Sequence, residues 1–357
     1  MANLDLSSVL KHFNFNTKVA EYGNGHINET FMADPQHIIQ RINTNVFQKP
    51  DELMENIAAV TEFLKEKIIA DGGNPDRETL TVIKTNEGHL YYKADKEHCY
   101  RCYEFIRNSL TIETVEDPTD LYEAAKSFAL FQKRLADFPA ETLSETIVDF
   151  HNTPKRFEAL QEAIKNDVKG RAASVKEEIE FALSQKDWIS TVTDGLADGS
   201  IPLRVTHNDT KINNVLFDAA TRKGLCVIDL DTVMPGSVLY DFGDGLRVGA
   251  ASGAEDEVDL DKIWFKLDCF DAFTKGYAEE LGNTLTKREI ELLPLSAKLL
   301  TYECGIRFLT DYLNGDTYFR IHRENHNLDR CRTQFKLVKD IDSKINEMKE
   351  IVCKYFN

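Results

Sequence analysis

A chain of 357 residues, 42% hydrophobic and 29% charged, has ordinary globular composition, which excludes disorder and collagen-like repeats. At about 100–200 residues per domain, its length predicts two domains or two lobes. The formal charge of −17 repels polyphosphate backbones and anionic lipid, so neither nucleic acid nor a membrane surface is an expected partner. A small polyphosphate ligand would need backbone donors or metal ions to reverse that sign locally. No run approaches 18 apolar residues, and the start MANLDLSSVL lacks the basic-then-apolar pattern of a signal peptide, which predicts a cytoplasmic protein. Among seven cysteines, Cys99 and Cys102 form a close pair in HCYRCYEF. Without a second C-x-x-C or a nearby histidine pair they read as small strand residues, not as a zinc or redox site.

Taken in chain order, TKVAEYGNGHINETF (17–31) predicts two short strands around a Gly-rich turn, and HIIQRI (37–42) a third strand. PDELMENIAAVTEFLKEKI (50–68) predicts a helix, with Pro50 at its start and acidic residues in its first turn. TLTVIKT (79–85), HLYYKA (89–94) and YRCYEFI (100–106) predict further strands, the first two joined by the turn signal NEG. From Asp117 the spacing of apolar residues becomes helical, through DPTDLYEAAKSFALFQKRLADF, TPKRFEALQEAI and SVKEEIEFALSQ. An island of strands follows: LRVTH, a polar loop DTKIN, NVLFD, a turn AATRKG, and LCVIDLD running to Asp231. The remainder is mainly helical. The fold class is therefore α+β. A small antiparallel-sheet lobe (1–107) precedes a larger, mainly helical lobe (108–357).

The strand island carries the most specific pattern, V-T-H-N-D-T-K-I-N-N-V-L-F followed by C-V-I-D-L-D. Asp209 sits on a loop, Asn214 follows five residues later, and Asp229 closes the return strand. Transfer of a phosphoryl group from a nucleotide needs this set. One carboxylate orients the attacking hydroxyl and accepts its proton, while an amide oxygen and a second carboxylate hold Mg²⁺ as hard oxygen ligands. Asp231, two residues beyond Asp229, shares its face if the strand continues. It then either binds a second metal or orients the first ligands from behind. YDFGDG (240–245) contains the D-F-G of protein kinases, but in the kinase-like enzymes that this pattern resembles the metal-binding carboxylate ends the strand directly after the catalytic loop. Asp241 is instead expected to brace that loop.

Gly23, Asn24 and Gly25 form a turn whose backbone N–H groups suit phosphates, although G-x-G alone equally suits a tight hairpin. His26 either reaches the phosphate or sugar or packs the turn. In the kinase-like enzymes that this pattern resembles, the strand HIIQRIN would offer a phosphate-binding Lys or Arg where Gln40 stands. Glu104, Phe105 and Ile106, at the connection between the lobes, are expected to line an adenine. LLTYECGIRFLTDYL is apolar around most of its circumference, yet Glu303, Arg307 and Asp311 recur every four residues. Such a stripe is either an internal ion ladder or part of a ligand site, with Arg307 as donor to hydroxyl groups and Glu303 as its orienter. Tyr318 suits a sugar face or the core, and Asn43 is a polar candidate from the other lobe.

The H-x-D-x-x-x-x-N…D arrangement resembles protein-kinase-like enzymes and, more closely, the aminoglycoside phosphotransferase family. That resemblance implies a two-lobed protein-kinase-like fold, Asp209 as catalytic base, Asn214 and Asp229 as metal ligands, and His207 as a buried framework residue. EYGNGHINETF, RINTNVF, FHNTPKRF, IPLRVTHNDTKINNVLFD, VIDLDTVMPGSVLYDFGDGLR and LLTYECGIRFLTDYLNGDTYF together resemble the N-acetylhexosamine 1-kinases of the bifidobacterial type. The likeness runs through nearly the whole chain in the same order. It implies an ATP- and Mg²⁺-dependent kinase acting on the anomeric 1-hydroxyl of N-acetylglucosamine or N-acetylgalactosamine. The alternatives are the same fold acting on an aminoglycoside, choline, homoserine or another sugar, and an inactive nucleotide-binding module.

Overall fold

A computed structural model of the protein describes residues 6–15, 17–23, 28–33 and 36–356. The chain divides into two compact units. The first comprises Met1–Ile112, Arg134–Val148 and Asn213–Pro235; the second comprises Glu113–Lys133, Asp149–Ile212 and Gly236–Asn357.

In the first unit, a short helix α1 (Leu6–Lys11) is followed by strands β1 (Val19–Glu21), β2 (Glu29–Ala33) and β3 (His37–Ile42). Helix α2 (Pro50–Ala70) and a single turn α3 (Pro75–Glu78) lead to β4 (Val82–Ile83), β5 (Tyr92–Lys93), β6 (Cys99–Glu104) and β7 (Ser109–Leu110). The antiparallel sheet runs β1-β2-β3-β6-β4, and β5 also pairs with β6. The segments 79–85 and 89–94 contribute only two strand residues each because they share one edge of β6. β4 takes Tyr103 and Cys102, β5 takes Tyr100 and Cys99, and β3 covers the other edge. The NEG turn between them forms as expected: Gly88 adopts φ 85° and donates its N–H to the Thr85 carbonyl at 2.8 Å. Helix α2 begins at Pro50 with Asp51 and Glu52 in its first turn and buries Leu53, Ile57, Val60, Leu64 and Ile68. Cys99 and Cys102 are buried and unbridged. Strands β9 (Val215–Asp218) and β10 (Gly224–Val227) form a second antiparallel sheet with β7, and β11 (Met234–Gly236) follows.

The second unit is built from α4 (Pro118–Arg134), α5 (Thr153–Asn166), α6 (Lys176–Ser184), α7 (Thr191–Asp198), the short strand β8 (Arg204–Thr206), α8 (Val238–Gly249), α9 (Leu267–Leu281), α10 (Lys287–Asn314) and α11 (His326–Tyr355). Helix α10 starts with a full capping box between Thr286 and Glu289. The Glu289 carboxylate is fully buried and accepts two hydrogen bonds from the Arg204 guanidinium, at 2.6 and 2.9 Å. Helix α8 is buried along nearly its whole length and is glycine-rich where other elements approach closely. A Cβ on Gly243 would lie 2.7 Å from the Ser296 carbonyl carbon of α10. The glycine of D-F-G therefore permits helix contact. Gly243→Ala is expected to cost about 1–3 kcal/mol through overpacking against rigid backbone. Unchanged thermal unfolding of that variant would show that the two helices sit farther apart than described. Among the described residues, no helix is long and apolar enough to cross a membrane.

Candidate active site

The loop after β8 is held from inside the second unit. The buried Asp241 carboxylate on α8 accepts the backbone N–H of His207 at 2.9 Å and of Asn208 at 2.7 Å, and the Gln132 amide also donates to it. Burial pushes the Asp241 carboxyl up, against the opposing pull of His207 and these donors. Asp241 therefore braces the loop, as expected from sequence. Asn208 adopts φ 65°, a left-handed conformation that bulkier side chains avoid; its amide makes local bonds with Thr206 instead. His207 is fully buried against Phe128 and Phe131, and its Nδ1 accepts the Asp209 N–H at 3.3 Å. The Thr210 N–H donates to Asp244, which also receives Arg247. The N–H groups of His207, Asn208 and Thr210 are thus tied to carboxylates of α8, and that of Asp209 to the loop's own His207 ring.

The Asp209 carboxylate lies 2.9 Å from the Lys211 ammonium. Burial alone would raise its pKa, but Lys211, His207 and Arg247 outweigh that and hold it below the usual carboxylate range. Lys211 is held above its usual range, first by Asp209, although burial opposes this. In the sequence the only signal for Lys211 is its place two residues after the aspartate. With the ammonium removed, Asp209 should hold its proton to higher pH. Lys211→Met is therefore expected to move the acid limb of kcat upward in pH, and an unshifted limb would show that Lys211 does not control Asp209.

In the first unit, β10 ends at Val227, two residues short of Asp229. Asp229 turns left-handed (φ 57°, ψ 59°), and Leu230–Thr232 forms one tight helical turn, so the strand does not continue to Asp231 as the sequence suggested. A non-glycine residue in this region is a strained conformation of the kind concentrated at functional sites. The Ile228 N–H donates to the Asn214 carbonyl at 2.9 Å, linking the segments that carry the two expected metal ligands. Asn214 is buried.

Asp231 is buried with both carboxylate oxygens engaged. Oδ1 receives the Arg101 guanidinium and Oδ2 receives the Asn28 amide at 2.6 Å. Asn28 Oδ1 in turn accepts the Asn43 backbone N–H at 3.0 Å. Arg101 is 1% exposed on β6, directly opposite Gln40 in the β3–β6 register, and its Nε donates to Gln40 Oε1 at 3.0 Å. A buried cation thus stands opposite Gln40 on the neighbouring strand, and Gln40 is its amide partner. Burial opposes the charge on Arg101, but Asp231 more than compensates and raises its pKa further. In the sequence Arg101 shows only as an arginine within the apolar run YRCYEF, because its partners Gln40 and Asp231 lie far from it in the chain.

Among the remaining expected positions, Gly23 adopts φ 74° with open space where a side chain would project. Asn24, Gly25 and His26 lie outside the described residues. The backbone N–H groups of Glu104 and Phe105 are committed to Thr81 and Gln36, Glu104 is exposed, and Ile106 is buried. In the second unit, the stripe on α10 separates into three environments rather than an ion ladder. Glu303 is 1% exposed, its Oε1 against His151 Nδ1 at 2.8 Å and its Oε2 accepting the Thr153 hydroxyl at 2.6 Å. Arg307 is half-buried over the rings of Phe150 and Phe319, 5.4 and 5.5 Å from their centroids. Asp311 accepts the backbone N–H groups of Thr317, Tyr318 and Phe319 and so shapes the loop beyond the helix. Tyr318, on that loop, is 62% exposed, which rules out a core role.

The antiparallel-sheet unit and the helical unit together define the α+β, kinase-like class of fold. The profile described as "Phosphotransferase enzyme family" (APH) matches residues 46–273, and the chain belongs to that family. Solved structures of similar fold include a microcompartment-associated aminopropanol kinase, 15% identical with a TM-score of 0.64, over 96% of this chain and 98% of that one. An aminoglycoside phosphotransferase from Alicyclobacillus acidocaldarius is 12% identical with a TM-score of 0.61, over 99% of this chain and 98% of the other. The streptomycin–ATP complex of APH(2")-IIa is 14% identical with a TM-score of 0.56, over 96% of this chain and 99% of its own. At such identities the likeness concerns the fold alone.

Proposed function

We propose that this phosphotransferase is an ATP- and Mg²⁺-dependent N-acetylhexosamine 1-kinase, transferring the γ-phosphoryl group of ATP to the anomeric hydroxyl of N-acetylglucosamine or N-acetylgalactosamine. The observation that carries the chemistry is Asp209, kept ionised beside Lys211 on a loop that Asp241 braces. In this reading Asp209 aligns the sugar hydroxyl and accepts its proton. Asn214 and Asp229 offer the hard oxygen donors that suit Mg²⁺, which when bound would neutralise phosphate charge. Asp231, with both oxygens occupied by Arg101 and Asn28, braces the Asp229 turn from behind. Residues 1–107 form the nucleotide-binding lobe, where Gly23 to Gly25, Gln40 and the segment Glu104 to Ile106 receive the nucleotide. Residues 108–357 form the catalytic and acceptor lobe.

The sugar assignment rests on the likeness of the quoted segments to N-acetylhexosamine 1-kinases, and the half-buried Arg307 over the rings of Phe150 and Phe319, the latter packed against exposed Tyr318, supports it. An aromatic surface and a fork of N–H donors suit a sugar face and its hydroxyls. His26 and Asn43 remain acceptor-side assignments, and Glu303 orients from behind rather than touching the sugar. The test is ATP-to-ADP turnover with Mg²⁺ against N-acetylglucosamine, N-acetylgalactosamine and simple hexoses, with kanamycin and choline as controls. Phosphorus NMR identifies the phosphorylated position. A sugar 1-phosphate is expected. Turnover only with an amino alcohol or an aminoglycoside would retain the kinase and discard the sugar. ATP binding without turnover on any acceptor would point to an inactive module.

A further inference from the structure

His151 lies two residues before Thr153, the first residue of α5, and is buried, with both ring nitrogens facing hydrogen-bond acceptors. Nδ1 is 2.8 Å from Glu303 Oε1 on α10, and Nε2 is 3.0 Å from the backbone carbonyl oxygen of Asn208. A carbonyl oxygen cannot donate, and an ionised carboxylate accepts only. A neutral imidazole carries one N–H and would leave a lone pair pointed at one of these oxygens, a costly arrangement without water. We propose that His151 is a buried imidazolium that serves as a positioning residue: it grips the carbonyl of Asn208, the left-handed residue immediately before Asp209, and ties that loop to the α10 face bearing Arg307.

The surroundings favour this charge state. Glu303 also accepts from Thr153, and His151, Arg307 and Thr153 together hold its carboxyl below the usual range although burial opposes them. Burial likewise opposes the charge on His151, but Glu303 outweighs it and raises its pKa, with a contribution from Asp244 on α8. The other groups facing this cluster are Tyr240 of α8, whose ring centre is 5.1 Å from that of His151, and the cations Arg307 of α10 and Arg156 of α5. Arg156 donates twice to the Phe150 carbonyl, fixing the segment on which His151 sits. Its like charge beside Arg307 strengthens the demand for an ionised Glu303. The doubly protonated form therefore persists above the ordinary imidazole range, and the grip on Asn208 is lost as pH rises through the raised value.

The kinetic consequence rests on the reading of Asp209 as base, whereas the protonation state does not. The first experiment therefore needs no turnover. Nitrogen-15 NMR of the full chain, with His151→Gln used to assign the signal, is expected to show two protonated ring nitrogens at neutral pH. Glu303→Gln, which can donate to Nδ1, should convert the ring to a single N–H form. A singly protonated His151 in the unaltered protein would overturn the proposal, whatever the enzyme phosphorylates. In the second experiment, His151→Gln should lower kcat by about 10- to 100-fold while KM for ATP stays near its original value, because a misplaced catalytic group slows the step without removing binding. The alkaline fall of kcat attributable to the ring should disappear in that variant. Undiminished kcat would overturn the positioning role. If His151→Gln does not fold, the pH dependence of kcat in Glu303→Gln gives the same decision.

Discussion

Asp209→Asn is expected to lower turnover by about 10²–10⁴-fold, the range that a positioned general base contributes. The substitution keeps the shape and hydrogen-bonding length of the side chain but removes the carboxylate proposed to accept a proton. The loop should survive it, because its fixed points are elsewhere: Asp241 holds the His207 and Asn208 N–H groups, and Asp244 holds that of Thr210. The change also removes the negative partner of Lys211, leaving an ammonium with a neutral amide 2.9 Å away, so any residual activity should respond less to acid. The check is ADP release in the presence of the best acceptor, set beside circular dichroism and thermal unfolding. A folded variant that turns over at near-native rate would remove Asp209 from the chemistry and move attention to another carboxylate.

Arg101→Met should cost about 3–5 kcal/mol of stability, the scale for removing one partner of a buried ion pair. Arg101 and Asp231 are both almost wholly buried, and the Asn28 amide on the other carboxylate oxygen cannot neutralise the charge left behind. The cost of breaking the pair exceeds the pair's own worth, because it includes the charge left buried without a partner. Arg101→Met combined with Asp231→Asn removes both charges and should recover most of the lost stability. Because the pair is buried, added salt should change these differences little. Denaturant unfolding of the two single variants and the double variant closes the cycle. A loss below about 1 kcal/mol in Arg101→Met would show that water or another cation reaches Asp231.

Part of this architecture was readable locally. Helix α2 follows from Pro50, two acidic residues in the next positions and apolar residues at helical spacing, and it forms with that start. The loop between Thr206 and Val215 was legible because its polar residues sit between β-branched runs, and it forms there with Asp241 bracing it. Where local reading failed, competition or conformation was the cause. The segments 79–85 and 89–94 both have strand character, yet a six-residue neighbour offers one free edge, so each forms only two residues of strand. LCVIDLD reads as an uninterrupted strand, but the left-handed turn at Asp229 stops it, and Asp231 faces a buried arginine instead of continuing a ladder.

The sequence by itself determined the fold class, the catalytic-loop pattern and the helical stripe at Glu303, Arg307 and Asp311, because each is written in residues near one another in the chain. Only the tertiary structure decided what those charges meet. Arg101 finds Asp231 across 130 residues, and His151 finds Glu303 across 152. Periodicity constrains which face a side chain occupies, whereas a buried charge takes its partner from whatever packing brings within hydrogen-bonding distance. The pairing is a property of the folded interior, where an unmatched charge is costly, and no local pattern encodes it.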